Sequence, residues 1–263
     1  MLSPDAFAKV KVWALGLSFF CLLAEVISPT AYGRFGNDAS FAVSPRLGWF
    51  LMELPCTVVF GYLFWYRAYL LGLRKLSRSS LVLGCIFSLH YAYRGWYYPY
   101  NIRVYGNSSN FSLAPAIGGW LVTITHAMLN AEIISKYGKR LTKDSYLKSA
   151  QFILGLVLYY SGLVAIMYQD HLMRELRSTP GPRYRIPRGG LWDYITSAQY
   201  FSELWGWFGF MVLMDFEPSG MFVFFVSLFN LAPRAVTNHA WYEEHFGADY
   251  VQLNRAKLVP FVW

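Results

Sequence analysis

Apolar runs long enough to cross a roughly 30 Å hydrocarbon core recur along the chain at roughly 8–28, 48–70, 80–98, 113–134, 147–169, 197–214 and 219–236. The polar connections between them are mostly short, so successive helices are expected to pack as antiparallel neighbours. No hydrophilic block is long enough for a soluble domain, and neither an internal repeat nor a low-complexity stretch interrupts the pattern. The expectation is an all-α integral membrane protein, a bundle of about seven transmembrane helices. It is read as a single domain over 1–263, with 240–263 as a membrane-surface C-terminal tail. The first run is read as a permanent span, because it lacks the small-residue cleavage site of a signal peptide.

Composition agrees with that reading: of 263 residues, 56% are hydrophobic and 19% aromatic, and only 14% carry a charge, far from the soluble average. The net charge of +8 suits lipid headgroups or a polyanionic cofactor. It does not point to nucleic acid, because the positive residues are dispersed over many short loops. Orientation is not decided by charge either, since Arg74, Lys75, Arg78, Lys136, Lys139, Arg140 and Lys143 oppose Arg174, Arg177, Arg183, Arg185 and Arg188 across the expected membrane. Cys21, Cys56 and Cys85 lie in apolar runs without metal-ligand spacing, and are expected to be buried packing residues.

The chemistry gathers around a cationic loop, Arg183-Tyr-Arg-Ile-Pro-Arg-Gly-Gly, that runs directly into an apolar helix bearing Gln199 and Glu203. Arg183, Arg185 and Arg188 offer guanidinium forks suited to phosphate oxygens. Gln199 and Glu203, four apart, share one helix face. Spacing alone also allows a basic loop lying on anionic headgroups, with the two polar side chains serving helix packing.

Other polar groups interrupt the apolar runs. Glu53, in Trp49-Phe-Leu-Met-Glu53-Leu-Pro55, is an intramembrane acid of the kind that marks function. A glutamate in a first helical turn, with Pro55 suiting a helix start, is the structural alternative. His90 and Arg94 share a face, while Tyr91 points to another. Asp170, Arg174 and Arg177 line the extension of the fifth run, either around a phosphate or as a solvated ion-pair face. Arg234, Asn238 and Tyr242 step by four along the end of the last run. No GxGxxG or P-loop pattern is present, so any nucleotide site is not of the Rossmann type.

These segments together resemble the membrane steroid 5α-reductases, the 3-oxo-5α-steroid 4-dehydrogenase family. The similarity runs from Ala31-Tyr32-Gly33 to the C-terminus and is strongest over Tyr184-Arg-Ile-Pro-Arg-Gly-Gly-Leu-Trp-Asp-Tyr-Ile-Thr-Ser through Glu203. Trp49 to Pro55, His90-Tyr91 with Arg94, and the closing Leu258-Val-Pro-Phe are also similar. Four separated matches in order are specific where one would not be.

The resemblance implies reduction of a 3-oxo-Δ4-steroid by NADPH, with hydride passing to C5 and a proton to C4, and with the steroid entering from lipid. Tyr91, hydrogen-bonded with a Glu53 that is protonated or shares a proton, would polarise the C3 carbonyl, where negative charge develops. Asp170, Arg177, Tyr184, Arg185, Gln199, Glu203, Arg234, Asn238 and Tyr242 would contact NADPH. A monomer without metal is implied, in the endoplasmic reticulum membrane or a bacterial inner membrane, with the cofactor site and C-terminus cytosolic. Three positions depart from the pattern frequent in animal members: Met52 for Gln, Gln199 for Asn, and Asn238 for His.

Rival readings are an enoyl or sterol reductase of the same superfamily and an isoprenylcysteine-type methyltransferase, the latter suggested by Arg234, Glu243 and the segment to Tyr250. S-adenosylmethionine carries no phosphates, so the arginine cluster favours NADPH. A receptor or channel would leave the polar constellation without a use.

Overall fold

A computed structural model describes residues 2–27, 42–103 and 111–263. Ala31-Tyr32-Gly33, where the family resemblance begins, lies outside the described residues. The described chain is almost entirely helical: α1 (Pro4–Ile27), α2 (Pro45–Leu71), α3 (Arg78–Tyr91, continued by a π turn Ala92–Tyr97 and by Tyr98–Asn101), α4 (Leu113–Glu132, continued by a π turn Ile133–Tyr137), α5 (Ala150–Ser178), α6 (Ala198–Leu213), α7 (Pro218–Phe246) and the short α8 (Ala248–Val251). A two-residue antiparallel ladder pairs Ala42–Val43 with Phe111–Ser112.

Five of the helices are long and apolar enough to cross a membrane: α1, α2, α4, α5 and α7. The chain is accordingly an integral membrane protein. The other two expected spans are present as α3 and as the 16-residue α6, and neither meets the length and hydropathy of the five.

Local chemistry accounts for most helix starts. Ser44, Ser77 and Ser149 cap α2, α3 and α5 by accepting the backbone N–H of Leu47, Ser80 and Phe152, satisfying donors that a first helical turn leaves open. Pro45 and Pro218 occupy the opening turns of α2 and α7, where the missing N–H costs nothing. Because α2 begins at Pro45, Glu53 lies in its interior rather than in a first turn, and Pro55 sits inside the helix. The helix-start reading of that pair is thereby corrected.

The closest packing joins α5 to α6. A Cβ on Gly162 would stand 2.3 Å from the Gly206 backbone nitrogen, one on Gly209 would stand 2.2 Å from that of Tyr159, and one on Gly155 would stand 2.4 Å from that of Leu213. Small residues at these points let two helix backbones touch, the packing that replaces hydrophobic drive between helices in lipid. This seam fixes the register between Asp170 on α5 and Gln199 and Glu203 on α6. A wider aromatic core, including Phe60, Phe64, Phe87, Tyr159 and Phe210, fills the space towards α2, α3 and α4.

The two ends of the chain reach opposite ends of the bundle. The Leu2 N–H donates to Glu132 Oε2 at 3.0 Å, and Tyr137 Oη donates to the Leu2 carbonyl at 2.7 Å. The segment after α8 folds onto the loop before α6: Thr196 N–H donates to the Ala256 carbonyl at 2.8 Å, and Ala256 N–H to that of Tyr194 at 3.0 Å.

Candidate functional site

Arg94 is the hub of the site. It sits on the π turn of α3, an irregularity that places an extra residue in the helix and re-aims the side chains after it. Its Nε lies 3.5 Å from Glu53 Oε1 on α2, and its Nη2 lies 3.4 Å from Glu203 Oε2 on α6. The guanidinium also stacks over Trp49, 4.7 Å from the ring centre, and over Tyr98 at 5.1 Å. One cation thus joins two carboxylates from different helices, and its planar face is covered by aromatic rings.

Beside it stands a second node. Asp170 on α5 accepts from Tyr93 Oη at 3.1 Å and from the Gln199 amide nitrogen. Its two oxygens are therefore engaged by α3 and α6. The face shared by Gln199 and Glu203 is realised, each residue binding a different member of the paired nodes. Asp170, only 4% exposed, belongs to this interior network rather than to a solvated ion pair with Arg174.

Tyr91, one residue before the π turn, is buried and its hydroxyl lies against the Cys56 thiol. In place of a direct hydrogen bond between Tyr91 and Glu53, the structure pairs Glu53 with Arg94 and Tyr91 with Cys56, three residues further along α2. His90 turns to the other side and meets Tyr159 Oη at 2.7 Å through Nδ1. Gly95 leaves open the space beside Glu53 and Thr57, where a Cβ would lie 3.5 Å from Glu53 Cβ and 3.6 Å from Thr57 Oγ1. Thr57 Oγ1 is itself buried without a partner.

The arginines expected to hold phosphate lie at the same end of the bundle, at the C-terminus of α5 and in the following loop. Arg177 Nη1 donates to the Arg103 carbonyl at 3.3 Å. Arg185 turns back on the final carbonyls of α5, at Leu176 and, at 3.0 Å, Thr179, where the helix end is electronegative. Tyr184 packs edge-on against Trp241 at 5.1 Å. Arg183 and Arg188 are exposed.

On α7, Arg234, Asn238 and Tyr242 are all buried along one face. Arg234 lies 3.6 Å from Glu25 of α1 and 3.5 Å from Tyr200 Oη, whereas Glu243 faces His239 at 3.2 Å. Tyr242 stacks on Tyr250 at 5.1 Å. Met52 reaches α4, where a Cβ on Gly119 would stand 2.5 Å from its Cγ.

Three contributors were not in the sequence-derived set. Arg94 carried a signal, its clustering with His90 and Tyr91, and Tyr93 shared that cluster. Arg255 carried none. It donates through Nη2 to the Pro187 carbonyl at 2.9 Å and lies over the Tyr250 ring, clasping the cationic loop from the C-terminal segment. Burial draws its guanidinium below the usual arginine range. Tyr250 in turn bonds Thr196 Oγ1 at 2.6 Å.

The donor set suits a phosphorylated dinucleotide. Guanidinium groups at the loop match phosphate oxygens, while Asp170, Gln199 and Glu203 can accept from ribose hydroxyls or a carboxamide.

A family model described as 3-oxo-5-alpha-steroid 4-dehydrogenase matches residues 112–263. The chain is similar to a steroid 5-alpha-reductase of Solanum lycopersicum, 31% identical over 247 residues that cover 93% of this chain and 91% of that protein. It is also similar to 3-oxo-5-alpha-steroid 4-dehydrogenase 1 of Bos taurus, 30% identical over 259 residues, covering 98% and 96%. The corresponding protein of Homo sapiens is 28% identical over 253 residues, covering 95% and 92%.

Proposed function

Because this chain belongs to the 3-oxo-5-alpha-steroid 4-dehydrogenase family, we propose that it reduces the Δ4 double bond of a 3-oxo-Δ4-steroid with NADPH to give the 5α-3-oxosteroid. The observation that carries this reading is the double ion pairing of Arg94, which ties Glu53 on one side to Glu203 on the other. One carboxylate belongs to the expected steroid end and the other to the expected cofactor end. A single cation links both.

Arg177, Tyr184, Arg185, Arg234, Asn238 and Tyr242 would hold the phosphate and adenosine parts of NADPH, and Asp170, Gln199 and Glu203 its ribose and carboxamide. When bound, NADPH supplies the hydride. Orientation comes from the chain: Asp170 is held by Tyr93 and Gln199, and Glu203 by Arg94, so the acceptors for that end stand preset before binding.

Hydride arrival at C5 converts the enone to an enolate, and negative charge builds on the C3 oxygen. Tyr91 donates its hydroxyl hydrogen there, turning from the Cys56 thiol, and Glu53, in the protonated state in which its ion pair with Arg94 gives way to a carboxyl hydrogen, flanks the same oxygen. The rings packed around Tyr91, among them Phe87 at 4.9 Å and His126 at 6.1 Å, exclude water and strengthen both contacts. C4 then takes a proton that comes from solvent, so that one hydride from NADPH and one solvent proton are added across the double bond and the ketone returns.

The seven helices are assigned as seven crossings, with α3 and α6 spanning beside the five longer ones. The positions of Leu2 and the C-terminal segment at opposite bundle ends support an odd number. The cofactor side, with the loop before α6 and the C-terminal segment, then faces the cytosol, in the endoplasmic reticulum or a bacterial inner membrane. The protein works as a monomer in one transmembrane domain, with 240–263 as its surface tail.

The test is NADPH oxidation by purified protein with testosterone or progesterone, with products compared with 5α and 5β standards. The 5α product is expected. NADPH binding without steroid turnover would redirect the assignment to enoyl or sterol substrates.

A further inference from the structure

Around Tyr91 the helix α3 faces two ways. His90, Tyr93 and Arg94 meet α5 and α6: His90 Nδ1 shares a hydrogen bond with Tyr159 Oη at 2.7 Å, Tyr93 Oη donates to Asp170 at 3.1 Å, and Arg94 Nη2 lies 3.4 Å from Glu203. Tyr91 stands between them in the chain and turns the other way, to the Cys56 thiol of α2 and the His126 ring of α4. Its ring contacts are with Phe87, His90 and His126, and none of these lies on α5 or α6.

His90 supplies the connection that Tyr91 lacks. Its ring meets that of Tyr91 in a T-shape at 5.2 Å and lies 4.6 Å from Trp207 of α6, while Tyr159 of α5 holds Nδ1. Tyr159 is itself immobile. It is 2% exposed, its ring packs on Phe210 at 5.5 Å, and its backbone nitrogen lies in the glycine seam, 2.2 Å from where a Cβ on Gly209 would stand. A buried hydroxyl is costly to leave unpaired, so this bond fixes a position more sharply than ring contacts do. Tyr159 and Asp170 are eleven positions apart on α5, about 16 Å along its axis. Helix α3 is therefore fastened to α5 on either side of Tyr91, by His90 before it and Tyr93 after it.

We propose that His90 and Tyr159 are positioning residues for the reduction, their hydrogen bond setting where the Tyr91 hydroxyl stands relative to α5 and α6. On the proposed function, on which this role rests, Tyr91 of α3 holds the C3 oxygen of the steroid, and Asp170, Gln199 and Glu203 of α5 and α6 hold the hydride donor. The separation of C5 from the donor is then a separation between α3 and the α5–α6 pair. An error of about 1 Å in such a distance costs on the order of a hundredfold in rate. Tyr93 and Arg94 secure α3 only from the π turn onward; His90 secures the turn that precedes Tyr91.

The experiment is steady-state turnover of a 3-oxo-Δ4-steroid by the full chain in detergent, with NADPH and with NADPH deuterated at the transferred C4 position. Tyr159→Phe and His90→Leu should each lower kcat about tenfold, as a displacement of roughly half an ångström would, and raise the deuterium isotope effect on kcat. KM for NADPH should stay within about twofold. The double variant should lose no more than either single one, because both remove the same bond. His90→Asn, whose amide places a hydrogen-bonding atom where Nδ1 stands, should recover most of the rate, and Tyr160→Phe, which removes the hydroxyl of the next residue, should match wild type. Wild-type kcat in Tyr159→Phe and His90→Leu would overturn the positioning role, as would a fall in kcat matched by an equal rise in KM for NADPH and not rescued by His90→Asn. Absence of hydride transfer to steroid in the wild type would instead overturn the proposed function, and this role with it.

Discussion

Arg94 and Glu203 are 109 positions apart in the chain and 3.4 Å apart in the fold. The contact brings α3 and α6 together at the point where the same guanidinium, through its Nε, also meets Glu53. Replacing Arg94 by Leu leaves two carboxylates facing each other in a mostly buried space. The expected loss is about 2–3 kcal/mol, below the ~3–5 for fully buried pairs because Glu203 keeps 21% side-chain exposure. Thermal unfolding in detergent measures it. Arg94→Lys, a point charge on a flexible stem, cannot serve both partners in one plane, and wild-type turnover in that variant would contradict the bridging role.

Tyr91→Phe and Glu53→Gln separate chemistry from binding. Each should lower kcat by about 10²–10³-fold, the usual cost of removing one donor at a developing oxyanion, while NADPH affinity stays within a factor of two or so. Equal losses in cofactor binding would move both residues out of the catalytic pair.

Arg177→Ala and Arg185→Ala test the phosphate end. If either guanidinium reads the 2′-phosphate, KM for NADPH should rise about tenfold or more while that for NADH changes little. An unchanged NADPH to NADH ratio would shift the phosphate contact towards Arg183, Arg188 or Arg255.

The glycine seam makes a stability prediction. Gly162→Ala drives a methyl group to within 2.3 Å of the Gly206 nitrogen, and backbone cannot yield as a flexible side chain can. A cost of about 1–3 kcal/mol is expected from overpacking, together with weaker NADPH binding as Asp170 and Gln199 move out of register. Gly16 on α1, where a Cβ meets nothing within 4 Å, is the control, and an equal loss there would remove the seam from the explanation.

Glu217, at the turn into α7, is shifted upward by burial and by the Asp215 carboxylate beside it. A carboxyl whose folded pKa exceeds its unfolded one favours folding below the unfolded pKa, and that contribution is lost as pH rises through the folded value. Glu217→Gln should therefore flatten the fall in melting temperature between mildly acid and neutral pH. An identical pH profile in wild type and variant would refute the shift.

How much of this was legible beforehand differs by element. Hydropathy located the helices α1 to α7, five of which are long and apolar enough to cross a membrane, yet it ended the last at 236, and α7 continues to Phe246. The reason is that Arg234, Asn238 and Tyr242 turn inward: their polar face is buried against the bundle, so apolarity stops where the helix does not. The fifth run was likewise extended, to Ser178, by residues whose role is polar contact. Four-residue spacing correctly joined Gln199 and Glu203. It could not say that one binds Asp170 and the other Arg94, because partner identity is tertiary. Nor could it foresee the π turn over Ala92–Tyr97, which carries Tyr93 and Arg94 off the simple helical faces.

The backbone contact along Gly155, Gly162, Gly206 and Gly209 has an evolutionary reading. It welds the helices carrying Asp170, Gln199 and Glu203 into one stiff plank, whereas among α2, α3 and α4 the close approaches are to side chains: a Cβ on Gly84 would meet Phe64, and one on Gly119 would meet Met52. On the proposed assignment, divergence in steroid preference accumulates on α2, α3 and α4 without disturbing the cofactor end. A lineage changing its substrate would keep the plank and recarve the opposite wall, starting at positions such as Met52.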